Sequence, residues 1–215
     1  MTDVVLRAEA FLFDSDGVLV DSDLSVEQAW TEWASRYGLP AHEVLALVHG
    51  RPAAQTVETL LPGPLQGEAL RLINRLELDT ASSVSALPGA VECVSGLPVR
   101  DWAVVTSGTR SLATARLQAA GLPSPGVIVT ADDVRRGKPA PDPYLAAAAA
   151  LQHEAAACLV FEDAEPGVAA ARAAHVKHVV GVGRDTESLP VDAFVPDLSC
   201  AAIRSGSVTL SRTSP

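Results

Sequence analysis

Asp14 and Asp16 stand two residues apart in Phe11-Leu12-Phe13-Asp14-Ser15-Asp16-Gly17, directly after an apolar run that reads as a short buried strand. Gly17 lets the chain turn sharply, so both carboxylates are delivered to a strand end, where open α/β sheets keep their ligands. One member of such a pair can attack an electrophile while the other moves protons. The same spacing recurs in Asp21-Ser22-Asp23, which follows no strand and reads as a polar, solvated bend.

Three later strand ends carry polar groups of their own. Ala103-Val104-Val105 runs into Thr106-Ser107-Gly108, a hydroxyl and free backbone N–H groups ahead of a helix start. That arrangement suits a phosphate oxygen, and also an ordinary helix cap. Val127-Ile128-Val129 leads through Asp132-Asp133 to Arg135-Arg136-Gly137-Lys138-Pro139. Lys138, pinned between glycine and proline, can serve as a fixed cation or belong to a solvated basic turn. Asp132 and Asp133 are expected to cap a helix or to pair with that basic run. Leu159-Val160-Phe161 ends in Glu162-Asp163, before Pro166-Gly167 opens a helix. Acids at a helix start usually complement its dipole. This accounts better for Glu165 than for Glu162 and Asp163, which leave the strand itself. Any one of these strand ends could arise by chance; all four at one edge of a sheet is improbable.

The elements that must position these groups follow from periodicity and breakers. Leu24 to Tyr37 reads as a helix stopped by Gly38-Leu39-Pro40, and shorter helices follow at 41–48, 53–61 and 65–79. Strands are expected at 103–106, 127–130, 158–161, 178–182 and, more weakly patterned, 193–195. Helices near 110–120, 142–151 and 166–174 lie between them. Strand alternating with helix means an α/β fold, a Rossmann-like parallel sheet with helices on both faces. The helical block after the first strand reads as an inserted all-helical cap. The expected division is therefore a core of residues 1–20 and 85–204, a cap of 21–84, and a flexible tail of 205–215, Ser/Thr-rich and without periodicity.

A length of 215 residues and a hydrophobic fraction of 48% fit one such core with a small insert. The net charge of -10 argues against nucleic acid or an anionic membrane as partner. Cys93, Cys158 and Cys200 have no metal-ligand spacing and read as reduced thiols. Without an evident leader or apolar span, a cytoplasmic, monomeric protein is expected.

With these four motifs in this order, the chain resembles the haloacid dehalogenase-like phosphohydrolases. The motifs are Asp14-Ser15-Asp16-Gly17-Val18, Thr106 in Val104-Val105-Thr106-Ser107-Gly108, Lys138 in Gly137-Lys138-Pro139-Ala140-Pro141-Asp142, and Glu162-Asp163. The resemblance covers roughly residues 10–200. It is nearest to the branch of sugar-phosphate phosphatases and β-phosphoglucomutases, which carry a helical cap after the first motif. His175 is a local departure, since relatives often have Gly at the end of that helix.

The resemblance implies a Mg²⁺-dependent phosphatase of small phosphorylated sugars or polyols. In it Mg²⁺ would take oxygens from the Asp14 carboxylate, the Asp16 backbone carbonyl and Asp163, with Glu162 reaching it through water. Asp14 would form an aspartyl-phosphate and Asp16 would act as acid and base. Thr106, the Ser107 N–H and Lys138 would hold the phosphate oxygens. On the cap, Glu27, Trp30, Trp33, His49 and Arg51 are candidates for reading the sugar. Trp30 and Trp33 share one helix face and fit cap packing, whereas His49 and Arg51 lie in a turn that can reach the site. His42, His153 and His178 read as surface or structural residues. A β-phosphoglucomutase-type phosphomutase could use the same aspartyl-phosphate, but such mutases place a His on the first cap helix where this chain has Val26. A non-catalytic binding module would have no reason to keep the clustered carboxylates.

Overall fold

The computed structural model describes residues 3–204 and 206–211. The chain begins with an edge strand, β1 (Val4–Arg7), and enters the main sheet through β2 (Ala10–Phe13). It leaves by β3 (Val20–Asp21) for four helices: α1 (Asp23–Arg36), α2 (Ala41–Leu45), α3 (Ala53–Leu60) and α4 (Gly63–Thr80). It returns by β4 (Ser85–Ala86), which pairs antiparallel with β3. The root of the helical insert is thus a two-stranded strap.

After α5 (Ala90–Ser95) the chain alternates as expected: β5 (Trp102–Val105), α6 (Arg110–Ala119), β6 (Val127–Val129), α7 (Asp142–Ala150), β7 (Cys158–Glu162), α8 (Glu165–Ala173), β8 (His178–Val182) and β9 (Ala193–Val195). The six long-range strands form one parallel sheet in the order β6-β5-β2-β7-β8-β9. Both faces are covered by helices, which is why β2, β5 and the Cys158–Phe161 part of β7 are apolar throughout. Phe11, Phe13, Trp102, Val104 and Phe161 pack on one face. Leu12, Val105 and Val160 turn to the other, against Tyr144 and Ala147 of α7 and Val168 of α8. Phe13 stacks on Phe161 with ring centroids 4.8 Å apart and meets Trp102 edge-on at 6.1 Å.

The helical insert has its own core of Trp30, Trp33, Val44, Val57 and Ile73. The indole of Trp33 is fully buried and donates to the Ala69 carbonyl at 2.9 Å.

One expectation is corrected here. The stretch assigned to a flexible tail contains β11 (Ser207–Leu210), which lies between β1 and β10 (Ala201–Arg204) in an antiparallel three-stranded sheet. Val208 and Leu210 alternate inward and join the main core. Ser205 and residues 212–215 lie outside the described residues. His175 adopts φ +56°, the left-handed conformation that glycine meets without strain, so the departure at this position is confined to a turn. Among the described residues no helix is long and apolar enough to cross a membrane.

Candidate active site

Register brings the predicted motifs level. Phe13 lies opposite Val104 on one side and Phe161 on the other, so the residues after β2, β5 and β7 emerge together at the carboxyl edge. The Asp14 N–H donates to the Phe161 carbonyl at 3.0 Å, carrying the ladder one residue beyond β2. The chain then folds back tightly: Leu19 and Val20 N–H groups both donate to the Ser15 carbonyl. Gly17 sits in this turn at φ +78°. A Cβ on it would lie 2.0 Å from Asp163 Oδ2, so only glycine leaves room for that carboxylate.

Asp14, Glu162 and Asp163 form a carboxylate cluster, each offering an oxygen within 4.8 Å of the others. Burial pushes the Asp14 carboxyl up to about 8; Lys138 pulls against this, and Glu162 and Asp16 reinforce it. Asp163 is raised well above the usual carboxylate range, first by burial and then by Glu162 and Asp14.

Lys138 and Glu162 stand behind the cluster, each 1% exposed. The Lys138 ammonium donates to Asp14, to Glu162 Oε1 at 2.6 Å and to the Val105 carbonyl at 3.1 Å. Burial alone would lower its pKa, but Asp14 and Glu162 overcome that and raise it. All three of its protons are therefore engaged by the protein, a different posture from the expected one of facing a phosphate. Glu162 is similarly occupied. Oε1 accepts from Lys138 and from the Tyr144 hydroxyl at 2.7 Å, and Oε2 accepts from the N–H groups of Asp163 and Ala164. With four donors on two oxygens, its contacts are those of an anchor.

Asp16 points elsewhere. Its Oδ1 accepts from Ser22 Oγ at 2.7 Å and from Arg116 Nη1 at 2.9 Å. Thr106 and Ser107 line the same cleft as Asp14, Asp16 and Asp163. Thr106 Oγ1 accepts from the Gly108 N–H at 3.1 Å, the turn expected of a cap residue, while Thr109 makes the bond that caps α6.

The cleft has about 230 Å³ of room and is roofed by the helical insert. His49 and Arg51 line it, as does one face of Trp30; Trp33 does not, and Glu27 is exposed on the outer side of α1. Val26 lines the cleft too. Ser107 Oγ donates to the Gly50 carbonyl at 3.1 Å, so the His49–Arg51 loop rests on the sheet edge.

Asp132 and Asp133 do not pair with the basic run. Asp132 accepts from the Arg110 N–H at 2.8 Å and Asp133 from the Arg110 guanidinium at 2.6 Å, because the start of α6 is nearer than Arg135 or Lys138. Arg136 pairs instead with Asp142. Burial pushes the Cys93 thiol up to about 12 and the Cys158 thiol up to about 11, which leaves neither as a nucleophile.

Two charged residues at the site were missed by sequence reasoning. Arg116 and Glu77 are both buried and both line the cleft. The signal was present: each occupies a position on the buried stripe of its helix, Leu112-Ala113-Arg116-Leu117 in α6 and Ala69-Ile73-Glu77 in α4.

Comparison with known proteins bears on the family and the fold. A hexitol phosphatase A from Escherichia coli (strain K12) is 42% identical, the match covering 85% of this chain and 87% of that protein. Glycerol-1-phosphate phosphohydrolase 2 from Saccharomyces cerevisiae is 31% identical over 82% of this chain and 75% of its own length. A β-phosphoglucomutase from Clostridium difficile superposes with a TM-score of 0.78, covering 89% of this chain and 92% of that one, and at 20% identity it speaks for the fold alone. The model of the haloacid dehalogenase-like hydrolases matches residues 8–175, which takes in all four strand ends and the helices between them. On fold, on motif order and on that match, the chain belongs to the haloacid dehalogenase-like hydrolase family.

Proposed function

We propose that the protein hydrolyses phosphate monoesters of small sugars or polyols, with Asp14 as nucleophile and Asp16 as acid and base. The observation that carries this reading is the unequal treatment of two carboxylates two residues apart. Asp14 is buried and held by Lys138, while Asp16 is held by Ser22 and Arg116 at one oxygen and is 31% exposed. A buried nucleophile beside a solvent-accessible proton carrier is what two-step phosphoryl transfer needs.

Mg²⁺ fits the cluster by the chemistry of its donors, since Asp14, Glu162 and Asp163 all offer carboxylate oxygens. The space Gly17 leaves for Asp163 is further support, because it lets a further carboxylate stand beside Asp14. Asp14, the Asp16 carbonyl and Asp163 would hold the ion, and Glu162 would stand behind them. When bound, it would relieve repulsion between an anionic nucleophile and an anionic ester.

Asp14 attacks phosphorus in line as the bond to the alkoxide breaks, and Asp16 gives that alkoxide a proton. Asp16 then takes a proton from the water that attacks the aspartyl-phosphate, which returns Asp14 and releases phosphate. The Thr106 hydroxyl and the Ser107 N–H hold the non-bridging oxygens, where charge stabilisation and positioning contribute most. Lys138 aims the nucleophile and offsets part of the burial that disfavours its ionised form. His49 and Arg51 meet the sugar or polyol from above. The two relatives named for polyol phosphates support that substrate class. Val26 offers the cleft no proton donor or acceptor, which favours transfer to water over transfer back to a sugar.

The test is phosphate release from a panel of hexose, pentose, hexitol and glycerol phosphates with Mg²⁺, run beside Asp14→Asn. Wild-type turnover of at least one class is expected, with the variant at less than about a hundredth of it. A variant that keeps more would remove Asp14 as the nucleophile.

A further inference from the structure

Arg116 is a charged side chain, 3% exposed, on a core helix with no evident need of one. Its Nη1 donates to Asp16 Oδ1 at 2.9 Å, and the same oxygen takes the Ser22 hydroxyl. One oxygen of Asp16 is thereby committed, and the exposure that remains to its side chain faces the cleft. On its other edge, Arg116 Nη2 lies 3.9 Å from Glu77 Oε1, and Glu77 is itself buried. Nε and Nη2 are both buried and hydrogen-bond to no described residue. So a single guanidinium is gripped by Asp16 of the sheet edge and faced by Glu77 of the roof.

We propose that Arg116 is the positioning residue of the acid–base Asp16, and that Glu77, reaching from the helical insert, seats Arg116. The inference rests on the phosphatase reading above. A planar guanidinium can hold one carboxylate oxygen in a fixed direction, which the flexible ammonium of a lysine does less well. Asp16 is then left with one free oxygen of defined aim to trade its proton. Glu77 belongs to α4 of the insert, whereas Arg116 belongs to α6 of the core, so this contact joins the roof to the residue that holds Asp16. Stability is a poor explanation for the arrangement, because a buried ion pair rarely stabilises more than an apolar pair of the same volume. Both residues replace an apolar residue on an otherwise apolar stripe.

The test separates proton transfer from everything else by the leaving group. Wild type, Arg116→Met, Arg116→Lys and Glu77→Gln are assayed on sorbitol 6-phosphate, whose alkoxide needs a proton, and on 4-nitrophenyl phosphate, whose phenolate needs little. Arg116→Met should lose about a hundredfold in kcat/KM on the alkyl ester, the usual worth of a positioned general acid, and less than about fivefold in kcat/KM on the aryl ester. The comparison uses kcat/KM because it reads the steps up to leaving-group release and leaves out hydrolysis of the aspartyl-phosphate, which both esters share. Arg116→Lys should recover part of the alkyl activity. Glu77→Gln should lose about tenfold on the alkyl ester alone. In an Asp16→Asn background, Arg116→Met should add nothing further on the alkyl ester, since both act on one step. Thermal melts of each variant identify any that fail to fold, and the Glu77→Gln and Asp16→Asn arms then carry the test. Equal losses in kcat/KM on both esters, or additive losses in the double variant, would overturn this inference while leaving the phosphatase reading intact. A wild type inactive on both esters would overturn the two together.

Discussion

Glu77 shows what a single buried acid does to the molecule as pH changes. Burial pushes its carboxyl from 4.5 up to about 7; Arg116 draws it down, and Asp16 adds to the rise. The unfolded chain releases this proton near 4.5 and the folded protein only near 7. Between those values the folded state binds more protons, so stability falls as pH rises through the window and levels off above it. The whole effect is roughly 3 kcal/mol. Glu77→Gln removes it. The variant should melt with the wild type at pH 5 and about 6–12 °C above it at pH 8. A gap of the same size at both pH values would show that Glu77 does not titrate in this range. The same residue marks the limit of reading sites from sequence. Asp14, Asp16, Thr106 and Asp163 could be picked out because each follows or leaves an apolar strand, and Lys138 because Gly137 and Pro139 pin it. Arg116 is 100 residues from Asp16, and Glu77 is on another helix, so their meeting exists only in three dimensions. What could be seen was a charge on an apolar stripe, and that pattern by itself names no partner.

At the scale of elements, the loop between α2 and α3 decides how the roof meets the sheet. Gly50 is at φ +71°, and a Cβ on it would lie 2.8 Å from Ala164 Cβ. Across the cleft, a Cβ on Gly137 would lie 2.4 Å from Pro52 Cγ. The loop thus rests on two core turns at distances only glycine allows. Gly50→Ala brings both a strained conformation and a clash, and overpacking of this kind typically costs about 1–3 kcal/mol. The expected result is a roughly tenfold lower kcat/KM, carried mainly by KM, with a melting temperature about 2–12 °C lower. Unchanged kinetics would mean that the loop does not bear on the cleft during turnover. Long, strongly patterned elements were legible in the sequence, and their ends agree to within a residue or two: α1, α6, α8 and the five apolar strands β2, β5, β6, β7 and β8. β1, β10 and β11 were not, for a physical reason. They are strands of only four residues in a small separate sheet whose pairing joins Val4 to Leu210, and half of each faces away from the core. The six-residue α5 is too short for its period to register.

For the molecule as a whole, that small sheet ties the two ends of the described chain together. Removing residues 205–215 would delete the strand that joins β1 to β10 and expose the pocket filled by Val208 and Leu210. Each such side chain is worth about 1.5–3 kcal/mol when buried. The truncated protein should therefore melt about 10 °C or more below the full chain in a thermal scan, whereas loss of a true tail would leave the melt where it was. The strand order of the main sheet has a consequence in time. β2 lies at the centre, yet its neighbours β5 and β7 are made long after it. The helices α1 to α4 come between, contiguous and with a core of their own, so they can fold as they emerge. At ordinary rates of synthesis the interval from β2 to β7 is on the order of ten seconds. Throughout it, Ala10-Phe11-Leu12-Phe13 has no partner strand on one side or the other, and this is when the nascent chain most needs shelter from its neighbours on the ribosome.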